Sequence, residues 1–130
     1  MKFGYTIIYV PDVSVLLRFF ETGFGFSGKF LDESGSCGEL DTGETTLAFA
    51  AHQLGDMNFP ACYVSANLSP LPLGIEIGFV SADVENAHAL ALDAEAIEIS
   101  TPKAMPWGQI VSYLRCPDGT LVEHCHPVVS

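Results

Sequence analysis

The sequence reads as an α+β protein made of two βαβββ modules whose sheets curl around a cleft. Three observations predict this. A strand that runs into an Asp-Val helix start occurs twice, at Ile7-Ile8-Tyr9-Val10-Pro11-Asp12-Val13 and at Ile77-Gly78-Phe79-Val80-Ser81-Ala82-Asp83-Val84, with one residue added in the second turn. The closing strands match as Thr45-Thr46-Leu47-Ala48 against Thr120-Leu121-Val122-Glu123. A proline- and glycine-punctuated stretch without clean periodicity, His52 to Leu73, lies between the copies. One domain is expected over residues 1–130, with module one at 1–52, a connector at 53–73 and module two at 74–130.

Within module one, Phe3 to Val10 alternates as a strand, with Phe3, Tyr5, Ile7 and Tyr9 on one face. Pro11-Asp12 ends it, and Asp12 is placed to cap the helix that follows. Val13, Leu16, Leu17 and Phe20 fall at helical spacing up to a stop at Gly23. Three short strands are then predicted at Gly28–Leu31, Cys37–Leu40 and Thr45–Ala51, separated by acidic, glycine-containing turns. Module two repeats the order with a strand at Ile75–Val80, a helix from Val84 to Ala94, a short strand at Ala96–Ser100 and a loop at Thr101–Gly108. The closing hairpin runs from Gln109 to Cys125. Its turn, Cys116-Pro117-Asp118-Gly119, combines a proline that presets φ with a glycine for the left-handed position.

That hairpin carries the chemistry. Leu121, Glu123 and Cys125 share one face, Val122, His124 and His126 the other. Glu123 is a carboxylate on a half-covered sheet, where an unpaired charge needs a partner, a proton, a metal or a ligand. Composition limits the choice. The chain has 5 Lys and Arg against 16 Asp and Glu, a formal net charge of −11, which repels nucleic acid and attracts cations. No apolar run approaches the roughly 20 residues of a membrane span, so the expectation is a cytoplasmic protein without a membrane partner. Four cysteines without a C-x-x-C pair read as free, buried thiols. His88 reads as a helix-boundary residue, and the His124-x-His126 pair as exposed or tethered.

The paired units, the Asp-Val helix starts, the Phe19-Phe20 to Gly23-Phe24-Gly25-Phe26 segment, the Pro106-Trp107-Gly108 loop and the Pro117-Asp118-Gly119-Thr120 to Glu123 hairpin together resemble the vicinal oxygen chelate superfamily. That group spans glyoxalase I, extradiol dioxygenases, fosfomycin resistance enzymes and the bleomycin resistance proteins. In its metalloenzymes the resemblance implies a divalent ion held from the first and last strands of the modules, positions that fall at Tyr5, Ile75, Ala48 and Glu123. Only Glu123 suits a metal, and one carboxylate holds an ion weakly. A rebuilt set of His52, Glu76 and Glu123 is the alternative, with Glu76 one register off unless a bulge turns it inward.

The resemblance therefore leans toward the metal-free, bleomycin-resistance-like binders of antibiotics. It implies a homodimer that binds a small molecule, cationic or aromatic, with Tyr5, Phe49, His52, Trp107, Tyr113 and Glu123 as ligand-binding residues and no cofactor. Glu123 is the candidate for any acid or base role. A metal-dependent lyase, isomerase or dioxygenase with an altered ligand set is the second reading.

Overall fold

A computed structural model describes residues 1–128. The elements run β1 (Tyr5–Val10), α1 (Val13–Phe24), β2 (Ser27–Leu31), β3 (Cys37–Asp41), β4 (Thr46–Ala51), α2 (His52–Asn58), a 3-10 turn (Ala66–Leu68), β5 (Glu76–Val80), α3 (Val84–Asp93), β6 (Ile97–Ala104), β7 (Ile110–Arg115) and β8 (Leu121–Cys125). Two four-stranded sheets result, ordered β1-β4-β3-β2 and β5-β8-β7-β6. In each, the first strand pairs parallel with the last, and the remaining pairs are antiparallel. The two βαβββ modules of the sequence are present.

Each long helix starts where its aspartate can satisfy a free backbone donor. The Val15 N–H donates to Asp12 at 3.3 Å and the Asn86 N–H to Asp83 at 3.1 Å. Helix α1 ends later than the sequence suggests. Gly25, at φ +76°, is the left-handed cap whose N–H returns to the Glu21 carbonyl. Gly23 instead lies buried against α3, where an added Cβ would stand 3.2 Å from Ala94 Cβ. Strand β6 also outruns its expected end at Ser100. The 101–104 segment keeps pairing with β7 through two register shifts, as in Lys103 opposite Val111.

Each sheet lays one face on the helices, and α1 and α3 pack on each other, so both modules share one core. Val10, Leu47 and Phe49 from the first sheet join Leu114 and Val122 from the second. Phe20 and Phe24 of α1 cross the boundary to meet Phe79 of β5, and Phe24 also meets His124 of β8. The opposite face of each sheet is left largely open, although in the first sheet α2 and the connector pack over Tyr9. Tyr5, Ile7 and Tyr9 stand there in the first sheet, as their alternation predicts. Among the described residues no helix is long and apolar enough to cross a membrane.

Two histidines depart from their sequence reading. His88 is buried, with Nδ1 3.0 Å from Ser112 Oγ and Nε2 2.8 Å from Glu98 Oε2. The helix face is wider than the apolar spacing alone implies because the imidazole is matched by partners on β6 and β7. His124 is only 3% exposed, between Phe24, Phe79 and the His88 side chain, and its Nδ1 has no partner. Burial, and then His88, hold its pKa down to about 4 from 6.5.

The unfolded chain therefore takes this proton first as the pH falls. The stability tied to neutral His124 is full above pH 6.5 and is lost on the way down to about pH 4, an effect of about 3 kcal/mol by linkage. Denaturant titrations at neutral pH and at about pH 4.5 are expected to show this loss. In His124→Phe, which keeps the aromatic surroundings, most of the slope disappears; the same slope in both proteins would assign the acid sensitivity elsewhere. The cysteines are all free, but Cys62 is exposed and only Cys116 fully buried, because Cys62 falls on the connector rather than in a strand.

Candidate functional site

The strand registers give the equivalence between modules. Ile7 lies opposite Ala48, and Gly78 opposite Glu123. Ala48 thus matches Glu123 and Ile7 matches Gly78, so Tyr5 matches Glu76 and not Ile75. The capping aspartates Asp12 and Asp83 carry the same offset, with no residue inserted. Aligning the caps rather than the isoleucines is the signal in the sequence that finds it. Glu76 consequently stands on the uncovered face of its sheet without a bulge, one strand from Glu123.

Glu123 is flanked on that face by Glu76 on β5 and by Tyr113, its direct partner on β7. Desolvation first, and then the hydrogen bond and charge of Glu123, raise the Glu76 pKa. The Tyr113 phenol is pushed up to about 12, chiefly because its hydroxyl is held by the Glu123 carboxylate. The thiol of Cys125, next along the same face, is raised by burial and by Glu123. Two carboxyl groups and a phenol are thereby grouped so that Glu76 keeps its proton more readily than an isolated glutamate. A cation brought to this face would replace that proton.

Other predicted residues fall elsewhere. Phe49 is turned into the core, fully buried with its ring 5.0 Å from that of Phe20, because its β4 position alternates with the uncovered Ala48. His52 opens α2 rather than extending β4. Its Nδ1 lies 2.7 Å from the Tyr63 hydroxyl, and the two rings stack. Trp107, 68% exposed, is in the β6–β7 turn, where its indole N–H donates to Gln109 Oε1 at 2.9 Å. Tyr5 stands on the uncovered face of the first sheet, 61% exposed. The structure thus groups Glu123 with Tyr113 and Glu76, and leaves Phe49, His52 and Trp107 outside the group.

Sequence reasoning missed the way the connector is held. The Arg115 guanidinium donates to the carbonyls of Ala66, Ser69 and Pro70, at 2.9, 2.7 and 3.4 Å, and its Nε to Gly119. An arginine ending a strand beside a tight turn gives no hint of partners some 45 residues away.

Solved structures match this arrangement closely. A glyoxalase-related enzyme from Fulvimarina pelagi superimposes with a TM-score of 0.83 at 17% identity, over 98% of this chain and 88% of that one. The chain has the glyoxalase/bleomycin resistance/dioxygenase fold. A protein of that family from Burkholderia phytofirmans PsJN matches at a TM-score of 0.81 and 19% identity, over 98% of this chain and all of the other. TioX from Micromonospora sp. ML1 matches at 0.70 and 16%, with coverage of 98% and 100%. No family model matches the sequence, and no curated protein matches it.

The glyoxalase fold implies a divalent ion in its metalloenzymes, and the donors here do not fit one. Tyr5 and Ala48 occupy the first-module positions, His52 is engaged with Tyr63, and among the described residues no three His, Cys, Asp or Glu side chains form a set that could hold a metal ion. Glu76 and Glu123 by themselves fall short of a typical site of about three protein ligands.

Proposed function

We propose that the protein binds a small organic molecule carrying a positive charge on an aromatic or planar body, without a metal ion and without transforming it. The grouping of Glu123 with Glu76 and Tyr113 on an uncovered sheet face carries this reading. Carboxylates stripped of part of their water attract an organic cation, and phenol rings offer flat faces for it to stack on. Glu123 is the principal contact, Glu76 the group that exchanges its proton for the ligand's charge, and Tyr113 and Tyr5 the aromatic surfaces. A homodimer belongs to this reading. It is supported by the apolar side chains that the first sheet leaves exposed at Ile7 and Phe30, which a second copy would cover.

Calorimetric titration with a planar organic cation such as ethidium tests the proposal. Glu123→Gln is expected to weaken binding about tenfold or more, the scale of a charge-assisted contact, at an unchanged melting temperature. Because the Glu76 pKa is raised in the free protein, binding releases a proton, and affinity rises with pH through the range in which Glu76 titrates. Equal affinity in Glu123→Gln, or a stoichiometric metal ion in the purified protein, overturns the reading.

A further inference from the structure

A second site lies where the two modules meet. Strands β1 and β5 are the inner edges of their sheets, and they are not paired with each other. Between them runs a groove of about 390 Å³, floored by Ile77 and Leu121 and roofed by the connector through Tyr63 and Leu73. The volume is at the small end of the roughly 300–1,000 Å³ typical of small-molecule sites. The roof is fixed: Arg115 binds three connector carbonyls, and Gly119 lets the backbone of Ala66 come so close that a Cβ would stand 2.3 Å from its oxygen.

The chemistry of the lining is selective. In a chain of net charge −11, not one Asp, Glu, Lys, Arg or His side chain lines this groove. Its polar side chains are neutral hydroxyls, those of Thr6, Tyr9, Tyr63 and Thr120. Tyr63 is held by His52, whose Nδ1 is 2.7 Å away while its buried Nε2 has no partner. With Nδ1–H donating to the phenol oxygen, the Tyr63 proton has only a long bond of 3.4 Å to the His52 carbonyl, which a better-placed acceptor on a guest would replace. A charged molecule would lose its water here without compensation, whereas an uncharged one loses little.

We propose that this groove is a binding site for an uncharged, largely apolar small molecule bearing a carbonyl or ether oxygen that accepts from Tyr63. It adjoins the carboxylate face, since Leu121 stands beside Glu76 across the β5–β8 pair, but it selects the opposite kind of ligand. The apolar body lies along Ile75, Ile77 and Leu121, under the connector.

Two dyes of nearly the same shape provide the test: Nile red, which is neutral and has a ring carbonyl, and Nile blue, which is cationic. On the full-length protein at physiological salt, Nile red is expected to bind saturably, one per chain, with enhanced fluorescence. Leu121→Trp, which fills the groove, should weaken it about tenfold, and Tyr63→Phe, which removes only the hydroxyl, several-fold, on the scale of one hydrogen bond. Ile75→Trp, at an exposed rim position, obstructs the same groove without touching the core and serves if Leu121→Trp fails to fold. Glu123→Gln should leave Nile red affinity unchanged while lowering that of Nile blue. Non-saturating binding, equal affinity in the groove-filling variants, or Nile red released as protein concentration drives association would overturn the proposal; the last result would make a second copy of the chain the occupant.

Discussion

Gly119→Ala is expected to destabilise the protein by roughly 2–4 kcal/mol and to free the connector. Two effects add at this position. Gly119 has φ +98°, a conformation that an L side chain resists, and its missing Cβ leaves room for Ala66 O, Ala66 C and Asn67 N, all of which would fall within 2.7 Å of it. The obstacle is backbone, which cannot swing aside as a flexible side chain can. Gly43 separates the two effects, since it has φ +109° but nothing within 4 Å of its added Cβ. Gly43→Ala should therefore cost only the conformational part, about 1–2 kcal/mol. Urea titration gives both values, and limited proteolysis of residues 60–74 reports release of the connector. Similar losses in the two variants would show that the close approach to Ala66 contributes nothing.

Phe20→Ala should lower stability by about 3–5 kcal/mol, a large part of the total for a domain of this size. The ring is fully buried, with centroids 5.0 Å from Phe24 and Phe49, 5.5 Å from Phe19 and 6.3 Å from Phe79. Phe79 belongs to the other module, so the cavity opens between the modules and not within one of them. Equilibrium unfolding followed by circular dichroism and by Trp107 fluorescence checks this. The expected result is one shared transition at lower urea. Two separated transitions would mean that the modules hold their structure independently of this ring.

The repeated unit was legible because both copies use the same punctuation: an aspartate cap after the first strand and a turn before the last. Faces of strands were legible too, since Tyr5, Ile7 and Tyr9 alternate with core residues as the pleat requires. Glu123 stands out in the sequence as a carboxylate on a sheet face, and Tyr113 and Glu76 are named there too, but not as its neighbours on that face. Glu76 reads as one register off when Ile7 is matched with Ile77, because a slip of one residue reverses a strand side chain. Phe49 was misplaced by treating an aromatic residue near the cleft positions as part of them, although its neighbour Ala48 holds the uncovered face. His88 looked like a boundary residue because its partners, Ser112 and Glu98, come from strands far along the chain. Tertiary pairing of this kind leaves no local periodicity.

The order β5-β8-β7-β6 has a consequence for how the second module is made. Strand β5 stays without its parallel neighbour until β8 has been synthesised, from Val80 to Leu121, and such long-range closure is slow. Throughout that interval β5 offers a bare edge, with Ile75, Ile77 and Phe79 close by, to any other nascent strand. Glu76 sits at the start of that edge, where a charge discourages the wrong partner. The residue that tunes the finished site thus also acts as a gatekeeper before there is a site, and removing its charge should cost yield during expression as well as affinity afterwards.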